Sequence, residues 1–117
     1  QALRGELRAL IERWKPDECG IEAIFFATNA RTIIPVAQAR GVALLTLADA
    51  GLPLGEYTPL QVKQAVSGYG QADKRQMQEM VRMLLSLTKI PRPDDAADAL
   101  AIAITHLHSR RMNQAGK

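Results

Sequence analysis

Cys19-Gly20-Ile21-Glu22-Ala23-Ile24-Phe25-Phe26 is the stretch on which the fold class turns. β-Branched and aromatic residues concentrate in it, so it reads as a strand. Alternation sets Ile21, Ala23 and Phe25 on one face and Glu22, Ile24 and Phe26 on the other. Glu22 thus shares its face with two apolar side chains, where burying an unpaired carboxylate is very costly. Either Glu22 meets a partner there, or it faces water from an edge strand. Phe25 and Phe26 sit where strand gives way to loop, and packing into the core is their ordinary role.

Outward from this strand the pattern is helical. Before it, Leu3, Leu7, Leu10, Ile11 and Trp14 recur at helical spacing with charged residues opposite, which predicts an amphipathic helix over 2–14 ended by Lys15-Pro16. After it, Ala27-Thr28-Asn29 forms a loop with Thr28 or Asn29 as cap. A long helix follows over 30–50, with Ala37, Gly41, Leu44, Leu45 and Ala48 along one face, and small residues there let another helix approach closely. Pro35 falls in its first turns, where a missing N–H is best tolerated. Gly51-Leu52-Pro53 breaks the helix, and Leu54-Gly55-Glu56-Tyr57 reads as a second strand. Thr58-Pro59 opens a helix through Ser67 on which Leu60, Val62, Ala65 and Val66 pack. Gly68-Tyr69-Gly70 punctuates a turn that ends at Lys74, which solvation alone would explain. A further amphipathic helix spans 73–87, with Met77, Met80, Val81, Leu84 and Leu85 inward.

The last helix opens on Pro91-Arg92-Pro93-Asp94-Asp95-Ala96-Ala97-Asp98 and continues Ala99-Leu100-Ala101-Ile102-Ala103-Ile104. Asp94 suits an N-cap. Asp95 and Asp98 are three apart and so neighbours on one helical face, where they repel each other. A divalent cation would relieve that repulsion, since carboxylate oxygens suit Mg²⁺ or Mn²⁺. First-turn acids also favour the helix dipole with no metal at all. This helix is expected to reach about His108, with His106 and His108 near its C-terminus and in non-catalytic positions. Residues 109–117 then form a basic tail.

The order helix–strand–helix–strand–helix–helix–helix is α/β, with parallel strands joined by helical crossovers. Two strands are few for such a sheet. At 117 residues the chain is expected to be one domain, 1–117. It carries one cysteine, which excludes an internal disulfide framework and suits the cytoplasm. No apolar run is long enough to span a membrane. The formal net charge is +3. Residues 1–60 carry six Lys/Arg against seven Asp/Glu, and residues 61–117 carry nine against five. A basic second half permits a polyanionic partner.

Six motifs in one order, within residues 1–108, carry a resemblance. They are Ile21–Phe26 with Asn29; Gln38-Ala39-Arg40-Gly41-Val42; Glu56-Tyr57-Thr58-Pro59; Val62–Val66; Gly68-Tyr69-Gly70 with Ala72-Asp73-Lys74; and Asp95–Ile104. Together they resemble the bacterial RuvC Holliday-junction resolvases of the RNase H-like superfamily. The resemblance implies an α/β, RNase H-like fold, a mixed sheet flanked by helices. It implies an endonuclease that resolves four-way DNA junctions in recombination and repair by metal-dependent phosphodiester hydrolysis.

By the same resemblance, Glu22, Asp95 and Asp98 are catalytic metal ligands for two Mg²⁺ ions, with Mn²⁺ possible. Two such ions, roughly 3.5–4 Å apart, clamp attacking and leaving oxygens. Lys63 and Lys74 would contact phosphates. Phe25 would stack on an unpaired base, an interaction worth about 1–3 kcal/mol. The implied partners are junction DNA, a second copy through helix 30–50, and branch-migration proteins of the same pathway. Thr32 and Pro35-Val36 depart from the family pattern and place any DNA contact there in question. A fourth family carboxylate, an Asp on a first strand in a Gly-Ile-Asp-Pro-Gly motif, has no match here. The chain therefore reads as an N-terminally truncated piece, lacking the first strands, with little or no activity by itself and poor stability alone. The alternative is a non-catalytic junction-binding or subunit-interaction module on the same scaffold. Another RNase H-like nuclease with different substrates fits the resolvase-specific motifs less well.

Overall fold

The computed structural model describes residues 2–23 and 30–115. In chain order these are α1 (Ala2–Trp14), β1 (Cys19–Glu22), α2 (Ala30–Asp49), β2 (Leu54–Tyr57), α3 (Pro59–Ser67), α4 (Lys74–Leu84) and α5 (Asp94–Ala115). The expected extension of β1 through Phe26, the loop cap at Thr28 or Asn29, and the position of Phe25 lie outside the described residues. Among the described residues no helix is long and apolar enough to cross a membrane.

β1 and β2 pair in a two-stranded sheet. The Cys19 N–H donates to the Pro53 carbonyl and the Ala23 N–H to the Tyr57 carbonyl. Donors and acceptors advance together by four residues, so the strands are parallel, as the helical crossover between them requires.

The chain forms two compact units. One is built from α1 and α2, tied by an Arg4–Asp49 ion pair at 2.9 Å. Helix α1 lies where its periodicity places it, but Leu3, Leu10 and Trp14 are exposed and none of its residues is buried. Helix α2 buries Thr46 and Leu47 rather than the stripe expected from spacing. Ala37, Gly41, Leu45 and Ala48 are exposed, and Leu44 is half-buried. Its apolar residues are spread around the helix, so several faces score alike in sequence. At its C-terminus Gly51, at φ 73°, closes the turn as the Gly-Leu-Pro signal indicates.

The other unit contains Gly20–Ala23 and the chain from Gly55 onward. Its core is Val62, Val66, Val81 and Ala101, with Tyr57, Met77, Met80 and Ile102 packed against it. Helix α3 opens on a capping box: Thr58 Oγ1 accepts from the Gln61 N–H, and the Gln61 side chain accepts from the Thr58 N–H. Leu60, expected inward, is exposed because it lies in the first turn, beyond the core's edge.

Helix α4 is shorter than the expected 73–87. Asp73 is its N-cap and forms a second capping box with Gln76. It ends where Ser86 takes φ 54°, with the Leu87 N–H on the Arg82 carbonyl and the Ser86 N–H on that of Met83. This is a Schellman stop made without glycine, which hides it from sequence. Leu84 and Leu85 therefore stand at the helix end and are exposed rather than inward.

Helix α5 continues to Ala115, past the end expected near His108. Arg, Met, Gln and Ala propagate a helix well, and nothing before Gly116 interrupts them. His106 is consequently interior to α5 rather than at its C-terminus.

Candidate functional site

Glu22 ends β1 on the same face as Gly20, and that face is turned toward α5. A Cβ on Gly20 would lie 3.2 Å from Ile102 Cγ2 and 3.3 Å from His106 Cβ, so strand and helix approach closely. Asp98 lies on α5 one turn before Ile102. Glu22 and Asp98 line one cavity of about 310 Å³ whose floor is apolar, including Val62, Val81 and Ala101. Lys63 from α3 and Lys74 from the start of α4 complete its polar rim. Four of the residues singled out in the sequence are thus gathered by four different elements.

The electrostatics of this rim are uneven. Burial pushes the Glu22 carboxyl above its ordinary range, and the Asp98 carboxylate adds to the shift. Asp95, one turn before Asp98, is exposed and does not line the cavity. Among the described residues no three His, Cys, Asp or Glu side chains gather closely enough to hold a metal ion.

Asp94 departs from its expected role. It is the first residue of α5, and its carboxylate accepts from Lys74 Nζ at 2.8 Å and Gln78 Nε2 at 3.2 Å, both on α4. The Lys74 ammonium holds the Asp94 carboxyl below its usual range, and Asp94 raises the Lys74 pKa in turn. The carboxylate is therefore turned to α4 rather than spent on capping its own helix. The first-turn Ala96 N–H goes instead to the Pro93 carbonyl. The two residues are 20 apart and on different helices, so no local spacing announces the pair.

A second cross-element contact joins residues 49 apart in the chain, so no local spacing announces it. Tyr57 Oη and His106 Nδ1 are hydrogen-bonded at 2.6 Å, with the rings edge to face.

This arrangement can be set beside known proteins. The family model described as crossover junction endodeoxyribonuclease RuvC matches residues 1–106. The chain belongs to the RuvC family. A RuvC from Chloroflexus aurantiacus, named a crossover junction endodeoxyribonuclease, is 66% identical over 103 residues, or 88% of this chain and 63% of that protein. The RuvC of Syntrophomonas wolfei is 60% identical over 108 residues, covering 92% and 63%. The chain thus spans somewhat under two thirds of the length of these RuvC relatives. Among solved structures, Thermus thermophilus RuvC superposes with a TM-score of 0.86 at 38% identity, over 96% of this chain and 68% of that one. The same RuvC in complex with a Holliday junction substrate gives 0.88 at 38% identity, with the same coverage. The fold is therefore α/β and RNase H-like, as the RuvC resemblance implied.

Proposed function

We propose that this chain carries the greater part of a metal-dependent endonuclease that resolves four-way DNA junctions in recombination and repair. The observation that supports it most is the single cavity that Glu22 and Asp98 line together with Lys63 and Lys74. Membership of the RuvC family and the junction-bound Thermus thermophilus RuvC agree with the reading.

The donor chemistry suits hard divalent cations. Glu22 and Asp98 are oxygen donors close enough for one charge to oppose ionisation of the other, a cost that a dication removes. Glu22 and Asp98 would hold Mg²⁺, or Mn²⁺ in its place, with Asp95 joining from the preceding turn of α5. Ions so held supply charge neutralisation at the scissile phosphate and an acidified water. Lys63 and Lys74 bind and orient flanking phosphates as positive contacts that carry no sequence information. The apolar floor keeps bulk water from competing for the same groups. Phe25 remains the proposed stacking residue, from outside the described part of the chain.

The exposed face of α2 at Ala37, Gly41, Leu45 and Ala48 supports pairing with a second copy, which would cut two strands symmetrically. Branch-migration proteins are proposed as further partners, and the cytoplasm as the compartment.

The test is cleavage of a synthetic four-way junction by the whole protein with Mg²⁺. Glu22→Gln or Asp98→Asn should abolish cutting and spare binding, and normal cutting by either variant rejects the assignment. That no three metal-ligating side chains gather among the described residues favours one other reading, a junction-binding module without catalysis. Tight junction binding with no cleavage under any divalent metal would select it.

A further inference from the structure

We propose that Tyr57 and His106 are positioning residues that set Glu22 opposite Asp98. The inference rests on the metal-site reading above, and it starts from a coincidence of spacings. Along β1, Gly20 to Glu22 is two residues, about 6.6 Å of strand. Along α5, Ile102 back to Asp98 is four residues, about 6 Å of helix. Contact at Gly20 and Ile102 therefore carries Glu22 to the level of Asp98, and a slip of either element separates them.

Tyr57 guards that register from both sides. Its carbonyl accepts from the Ala23 N–H at 2.7 Å, fixing β1 one residue beyond Glu22. Its hydroxyl bonds His106 at 2.6 Å, fixing α5 two turns beyond Asp98. One residue thus holds the strand by its backbone and the helix by its side chain. Two glycines make room for the contact. A Cβ on Gly20 would lie 3.3 Å from His106 Cβ, and one on Gly55 would lie 2.6 Å from His106 Nδ1 and collide with the Tyr57 hydroxyl. Neither glycine has the positive φ that would give it a turn-forming reason to be there. Their common property is the space they leave for His106.

Outer residues that orient metal ligands typically matter by about 10–100-fold in affinity. The experiment is Mn²⁺ titration of the whole protein, following free Mn²⁺ by electron paramagnetic resonance, with thermal melts in parallel. Tyr57→Phe and His106→Ala should each weaken Mn²⁺ binding about tenfold. His106→Asn places an amide where Nδ1 stood, and it should restore the parent affinity. Full Mn²⁺ affinity in His106→Ala overturns the proposal. So does an Asn variant that folds like the parent yet binds as weakly as Ala. If Tyr57→Phe fails to fold, the His106 pair decides alone. Glu22→Gln and Asp98→Asn are the controls. Unchanged Mn²⁺ affinity in these controls rejects the metal reading itself, whereas a loss there alone rejects only the positioning role.

Discussion

Glu22 is held at a cost, and that cost is measurable. Burial, then the Asp98 charge, raises its pKa above the ordinary value of 4.5, so ionising it opposes folding. For a raised folded pKa, the stabilising contribution is whole below the unfolded value and is lost as pH rises through the folded one. Glu22→Gln should therefore raise Tm at pH 7 and leave it unchanged at pH 3, as melts of both proteins at each pH would show. Asp94 offers the opposite case. Its lowered pKa and the raised pKa of Lys74 keep their pair intact from above the acid range of Asp94 to below the alkaline range of Lys74. On the proposed role of Lys74 as a phosphate contact, Asp94 would compete with phosphate for the ammonium over that window. Asp94→Asn should tighten junction binding and steepen its dependence on log salt by up to about 0.9, one phosphate contact. The same gain in a Lys74→Ala background would reduce Asp94 to a distant charge.

At the scale of elements, starts were easier to read than stops. Thr58-Pro59 announces α3 because its cap and its partner Gln61 lie within one turn, where short-range hydrogen bonding decides. The end of α4 falls short of the expected residue 87 because Ser86 adopts a left-handed conformation at a position where glycine is usual. Ser86→Gly should relieve that strain and stabilise the protein by about 0.5–1 kcal/mol, measured by chemical denaturation. The far end of α5 lies beyond the expected His108 because the residues that follow, although basic in composition, are good helix formers.

For the molecule as a whole, the proposed pairing of two copies turns on the exposed face of α2. Leu45 is about half exposed there, beside Gly41, at which a Cβ would meet nothing among the described residues. If a second copy covers this face, Leu45→Arg should turn a dimer into a monomer in sedimentation velocity without lowering Tm beyond the loss of association. A species of unchanged mass would place the interface elsewhere.

The sequence by itself determined the element order, the parallel sense of β1 and β2, and the identity of Glu22, Asp98, Lys63 and Lys74 as the residues worth watching. The element order and strand sense follow from periodicity and capping chemistry, which act over a few residues, whereas those side chains, with Asp95, were singled out by the RuvC resemblance that the order of the motifs carries. Which face α2 buries, the capture of Lys74 by Asp94, and the Tyr57–His106 contact were decided only by tertiary structure. Each depends on residues far apart in the chain brought together by packing, and local spacing holds no record of that.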